Sequence, residues 1–202
     1  MSIFKLAGAI CVALFFASSA RAEPFDDFVD HCLRTNADQQ AVANSAKGDG
    51  WFALPPEVFG ADADFEDPQL FISEDPAAFG DKGPPADLSM IITGWGEGEN
   101  VFQISGVRLD VCVVGAQTTT ANADRLRERL ETLMGFPPVE YDGERLWLFS
   151  RLGEGFHSES GLVDLDDTQL PEIARRQKIY FAGVIEEDNF IGVIMAAVRP
   201  ST

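Results

Sequence analysis

GVRLDVCVVG, residues 106–115, decides how the rest of the chain is read. Val107, Leu109, Val111 and Val113 alternate with Arg108, Asp110 and Cys112. That period of two, with its β-branched content, predicts a strand over 107–114 with one wholly apolar face. Cys112 points to the opposite face, together with Arg108 and Asp110. The stretch FVDHCLRTNADQQAVANSAKGDGW, residues 28–51, holds the second relevant cysteine. Phe25, Phe28, Val29, Cys32 and Leu33 recur at helical spacing, so Cys32 lies on the buried stripe of a helix from Pro24 to Arg34. A helix packed on the Cys112 face of the strand brings Cys32 into bonding range.

The remaining pattern extends the same plan. Asn36 as N-cap, with Gln39 in the capping-box position, predicts a second helix ending at Gly48. A helix over 122–134 presents Leu126, Leu130, Leu133 and Met134 on one face and stops at Gly135 before Pro137-Pro138. A shorter helix is expected over 168–177. Further strands are expected near 88–93, 100–105, 144–150, 178–186 and 189–198, with a hairpin turn at Glu187-Asp188-Asn189 joining the last two. The expectation is an α+β fold: a mainly antiparallel sheet, two N-terminal helices, two later helices and one disulfide. Residues 52–87 hold six of the eleven prolines and nine acids against one lysine, and read as a long acidic, Pro-rich surface loop with a short helix or strand inside it, or as an edge extension, within a single domain spanning 23–202.

Residues 1–22, MSIFKLAGAICVALFFASSARA, have the form of a secretory signal peptide. Lys5 precedes an apolar run too short to cross a bilayer, and Ala20-Arg21-Ala22 supplies a small-x-small cleavage pattern. A periplasmic or secreted location follows, with no transmembrane segment in the mature chain. Cleavage removes Cys11 and leaves Cys32 and Cys112, an even pair in an oxidising compartment, which predicts their disulfide. Buried free thiols are the alternative. Cleavage also removes two of the 15 Lys and Arg and none of the 33 Asp and Glu, taking the formal charge from −18 to −20. Such a surface excludes nucleic acid, which requires clustered cations.

Motifs for chemistry are absent or wrongly spaced. ITGWGEGEN, residues 92–100, lacks the lysine of a phosphate loop and reads as a flexible hairpin connection with Trp95 at its tip. GFHSESG, residues 155–161, has serine, histidine and glutamate but no nucleophile elbow, and reads as a polar loop. The acidic clusters at Asp62–Asp67 and Asp164–Asp167 lack the glycine and distal glutamate of a calcium loop, and read as solvated surface. No catalytic residue, metal ligand or cofactor is assigned. Trp51, Phe52 and Trp95 are the candidate binding residues, as aromatics in or beside turn-rich segments.

The export signal, Asp30-His31-Cys32 on an early helix and Gly50-Trp51 after a small-residue helix together resemble exported bacterial proteins to which no activity is assigned. The resemblance covers about the first quarter of the mature chain. It implies the compartment and the disulfide framework. The expectation is therefore a non-catalytic exported protein binding a small molecule or another protein. The alternatives are a hydrolase whose site is assembled from sequence-distant residues, and an envelope-assembly factor whose acidic face takes a basic envelope protein.

Overall fold

A computed structural model describes residues 24–59, 66–85, 88–98, 105–117, 122–141, 143–153, 155–163, 169–187 and 189–201. The expected signal peptide, most of the expected 100–105 strand, Asp62, Asp64, Asp164, Asp166 and Asp167 lie outside them. The strands are β1 (Phe52–Leu54), β2 (Glu66–Ile72), β3 (Ser89–Glu97), β4 (Val107–Gln117), β5 (Val139–Tyr141), β6 (Glu144–Leu152), β7 (Gly155–Ser158), β8 (Ile179–Glu187) and β9 (Phe190–Pro200). They form one sheet in the order β1-β2-β3-β4-β9-β8-β6-β5, with β7 also on β6, and every described pairing is antiparallel. With the helices packed on its faces, the fold is α+β.

β4 lies central and sorts its side chains as its alternation requires. Val107, Leu109, Val111 and Val113 join one apolar cluster, with Phe181, Val198 and Leu170. Cys112 and Val114 join the other, with Phe28, Phe149, Tyr180 and Met195. Each fully buried side chain of this size contributes about 1.5–3 kcal/mol by leaving water. Helix α4 (Gln169–Ala174) supplies Leu170 to the first cluster. The second is covered by α1 (Pro24–Asp27) with its π-helical continuation Phe28–Leu33, by α2 (Gln39–Gly48) and by α3 (Ala123–Met134). The Cys32–Cys112 disulfide ties that π-helical stretch to β4, with Cα atoms 5.5 Å apart. Helix α3 begins with the Asn122 side chain accepting from Arg125 N–H at 3.0 Å and ends at Gly135 in the left-handed region.

Several local expectations need correction. The first helix is mostly π-helical, because the Arg34 and Ala37 amides donate five residues back, to Val29 and Cys32 carbonyls. That wider turn delivers the chain into left-handed backbone at Asn36 (φ 58°) and Ala37 (φ 53°). The N-cap of α2 is therefore Asp38, which accepts from Ala41 N–H at 2.9 Å, rather than Asn36. Gln39 donates instead to the Asp67 carbonyl at 2.6 Å, tying α2 to β2.

Within the expected 52–87 loop, the described strands β1 and β2 form the edge of the sheet. β1 pairs β2 and β2 pairs β3, with Phe71 and Ile72 buried. The ITGWGEGEN stretch is not a hairpin connection up to Glu97, since Gly94, Trp95 and Gly96 pair with Val111, Asp110 and Leu109. Backbone ladder bonds need no side chain, so the glycines do not stop the strand. GFHSESG is half strand: β7 pairs β6, and Phe156 packs edge-on against Phe149 at 5.5 Å. The expected last hairpin is present, with Glu187 paired to Phe190.

Candidate functional site

Three polar assemblies stand out on this scaffold. The first joins α1's continuation to α2. His31 is buried, and its Nδ1 lies 2.9 Å from Ser45 Oγ. Its Nε2 is 3.9 Å from Asp49, and its ring meets Trp51 edge-on at 5.4 Å. Burial pushes the imidazole below its ordinary pKa, with the Asp49 and Asp30 charges acting the other way. Serine, histidine and aspartate thus meet, but hydrolysis also needs space for a substrate carbonyl and donors for its oxyanion. His31 is only 3% exposed. The assembly fastens two helices together.

The second assembly surrounds Glu159. Its carboxylate accepts from Ser150 Oγ at 2.6 Å and from Gln177 Nε2 at 2.9 Å, and lies 3.5 Å from His157 Nδ1. The buried serine donates a hydrogen bond to the carboxylate, so β6 is tied to the segment after β7, and Gln177 ties that segment to the turn before β8. Neither this cluster nor the first lines either of the two clefts described below.

The third assembly lies at one end of β3, β4 and β9, on the face that carries Cys112. Trp95 is the cross-strand partner of Asp110, Glu97 of Arg108, and Arg108 of Arg199. Cross-strand partners share a face, so these side chains converge. Asp110 is buried, with 7% of its side chain exposed. One of its oxygens accepts from Arg108 Nε at 3.1 Å and Nη2 at 2.8 Å; the other accepts from Arg199 Nε at 3.1 Å. The pair of charge-assisted bonds orients the Arg108 guanidinium, and the single Nε bond anchors Arg199. Arg108 also lies over the Trp95 ring, 4.4 Å from its centroid. Ser201 Oγ donates to Glu97 Oε2 at 3.0 Å. Together with Pro200 these residues line a cleft of about 350 Å³.

Beside it, Arg151 Nη1 donates to the Leu33 carbonyl and to Asn36 Oδ1, both at 2.9 Å. The Tyr180 hydroxyl lies 3.3 Å from the same Asn36 oxygen. Burial raises the Tyr180 pKa, while the Arg199 and Arg151 charges act to lower it. Arg199 therefore lies electrostatically within reach of both Asp110 and Tyr180. A second cleft of about 560 Å³ runs along the β1–β2 edge, lined by Gln39, Gln40, Leu54, Pro56, Asp67 and Leu70 among others. Among the described residues it presents amide and apolar groups with a single acid, Asp67.

The three candidate aromatics do not form one site. Trp51 is half-buried against the core and His31. Phe52 is 39% exposed on edge strand β1. Through the registers Phe52–Ile72 and Ile72–Met90 it lies level with a point on β3 five residues from Trp95, roughly 17 Å along the strand. Only Trp95 lines the charged cleft. Asp110, Arg108 and Arg199 were missed as site residues. Their signal was the placement of two opposite charges beside a core cysteine on a central strand. Among the described residues no group of His, Cys, Asp and Glu is arranged to hold a metal ion, and no helix is long and apolar enough to cross a membrane.

No family model, no curated protein and no solved structure matches this chain.

Proposed function

We propose that this chain is an exported, non-catalytic binding protein that takes a small molecule in the cleft between Trp95, Arg108, Asp110 and Arg199. The carrying observation is the preorganisation of that cleft. A buried carboxylate holds two guanidinium groups, Arg108 by two bonds and Arg199 by one, beside a partly exposed indole. A ligand entering such a site finds its donors already oriented and loses less affinity to ordering them. The volume lies at the lower end of the range for small-molecule sites. The export signal and the buried disulfide support a periplasmic or secreted location.

The hydrolase reading is less well supported. Both histidines do meet a serine or a carboxylate, yet neither histidine lines this cleft. The acidic surface supports an envelope-assembly role only through its charge, which fits any basic partner.

The test is a thermal-shift screen of small polar metabolites, followed by calorimetry on the hits with wild type and Trp95→Ala. The expected result is a one-to-one complex that Trp95→Ala weakens and Phe52→Ala does not. Hits that bind equally well to Trp95→Ala and to Arg199→Gln would overturn the cleft as the site. A screen without hits, together with a salt-sensitive complex with a basic envelope protein, would replace this reading by the assembly role.

A further inference from the structure

The charges in the cleft select among ligand classes, and this inference rests on the binding reading above. Arg108 and Arg199 bring two positive charges to it, and Asp110 cancels one of them while holding both groups. Arg199 donates to Asp110 through Nε, which leaves its two terminal nitrogens outside that bond. Glu97, at the end of β3 and exposed, supplies a separate negative charge on the same wall. It is the register partner of Arg108, yet the described bond to its carboxylate comes from the Ser201 hydroxyl. The described lining thus offers one net positive and one net negative position, with Trp95 and Pro200 as apolar wall between strands β3 and β9.

That pattern disfavours simple ions. A dianion such as phosphate would call on both guanidinium groups, which already share Asp110, and would meet Glu97 as a like charge. A cation would meet two guanidinium groups. A net anion would also work against the field of a chain carrying −18. A molecule with both charges and no net charge satisfies each position and feels no long-range repulsion. We infer that the ligand is a zwitterionic α-amino acid with an apolar side chain. Its carboxylate lies on the free edge of Arg199, its ammonium on Glu97, and its side chain against Trp95 and Pro200. Carboxylate recognition by a guanidinium fork supplies geometry as well as charge.

The test uses four probes on the full mature protein by calorimetry: L-phenylalanine, L-leucine, 3-phenylpropionate, which lacks the ammonium, and 2-phenylethylamine, which lacks the carboxylate. The expected result is binding of one or both amino acids, with each single-charge probe weaker by about tenfold or more, the cost of an unmade charge-assisted bond. Glu97→Gln, at an exposed side chain, weakens the amino acid about as much and does not weaken 3-phenylpropionate, which loses a like charge nearby. Arg199→Gln weakens both. Equal binding of 3-phenylpropionate and L-phenylalanine would overturn the zwitterion class while leaving the cleft as a binding site. Binding unaffected by Glu97→Gln would do the same. Absence of binding by all four probes at 10 mM overturns the zwitterion class, and the broader screen then decides the cleft separately.

Discussion

Replacing both Cys32 and Cys112 by alanine removes the one covalent link between the first helix and the central strand. The bond closes a loop with a sequence separation of 80. The chain-entropy relation for that loop gives about 4.5 kcal/mol of stabilisation, by confining the unfolded chain. Both residues are 0% exposed, so their sulfurs also fill space between the π-helical stretch and β4. The void left by alanine adds roughly 1 kcal/mol. Serine is the wrong replacement, since a hydroxyl buried there without a partner costs about 1–3 kcal/mol by itself. The total, about 5.5 kcal/mol, is about a third or more of the stability of an ordinary domain.

Urea titration followed by tryptophan fluorescence measures it. The variant should unfold at a markedly lower midpoint, with a steeper denaturant dependence because its unfolded state expands further. Buried sulfurs also predict that dithiothreitol leaves the native protein oxidised and reduces it promptly in urea. A loss below about 1 kcal/mol with an unchanged slope would refute the loop argument. Alkylation of both thiols in the native, unreduced protein would refute the bond itself.

Asn36 is the shared acceptor of Arg151 and Tyr180 and lies at positive φ. Asn36→Gly keeps the backbone and should cost about 1–3 kcal/mol for the lost acceptor, and Asn36→Ala should cost more for left-handed strain; equal losses in urea would remove the backbone part of the account. Asp27 is pushed up to about 6, by burial first and then by the Asp26 and Asp30 charges. The folded state therefore holds a proton between its ordinary 3.8 and about 6 that the unfolded chain releases, and stability from this group is lost as pH rises through that window. Asp27→Asn should raise the thermal midpoint at pH 8 and not at pH 3.5. His31 acts in the opposite sense, because its lowered pKa gives stability that is present above 6.5 and lost as pH falls below it. His31→Gln should flatten that acid limb, and midpoints measured from about pH 3.5 to 8 check both variants. Gly115→Ala places a Cβ 2.5 Å from the Ile191 carbonyl and into the Phe190 ring, and should cost about 1–3 kcal/mol; trimming the ring as well, with Phe190→Ala, should not restore the midpoint, since the carbonyl contact remains.

The reading from sequence was strongest where one period dominated. The alternation in β4 and the stripe Phe25–Leu33 placed Cys112 and Cys32 on facing surfaces, and the apolar face of α3 with its Asn122 and Gly135 ends was equally plain. It was weakest at short elements. β1 and β5 have three residues each, and β2 contains Pro68 and a left-handed Asp67, so none presents enough alternation to be seen. The π-helical geometry of Phe28–Leu33 was hidden because its apolar spacing over two turns resembles that of an α-helix.

The candidate cleft shows the limit most clearly. Which face each residue of β4 takes is a local matter, and the sequence alone placed Arg108, Asp110 and Cys112 on one side. That Arg199 reaches Asp110 depends on β9 pairing with β4 across a separation of 89 residues, in a register that sets Arg108 opposite Arg199. That Glu97 and Trp95 stand on the same wall depends on β3 continuing through its glycines along β4. Charge, export pattern, cysteine pairing and the class of fold follow from composition and period, which act over a few residues. The convergence of two arginines, two acids and an indole is a property of strand order and register. Those are settled by the burial of two apolar clusters over the whole sheet, so only the tertiary structure decides it.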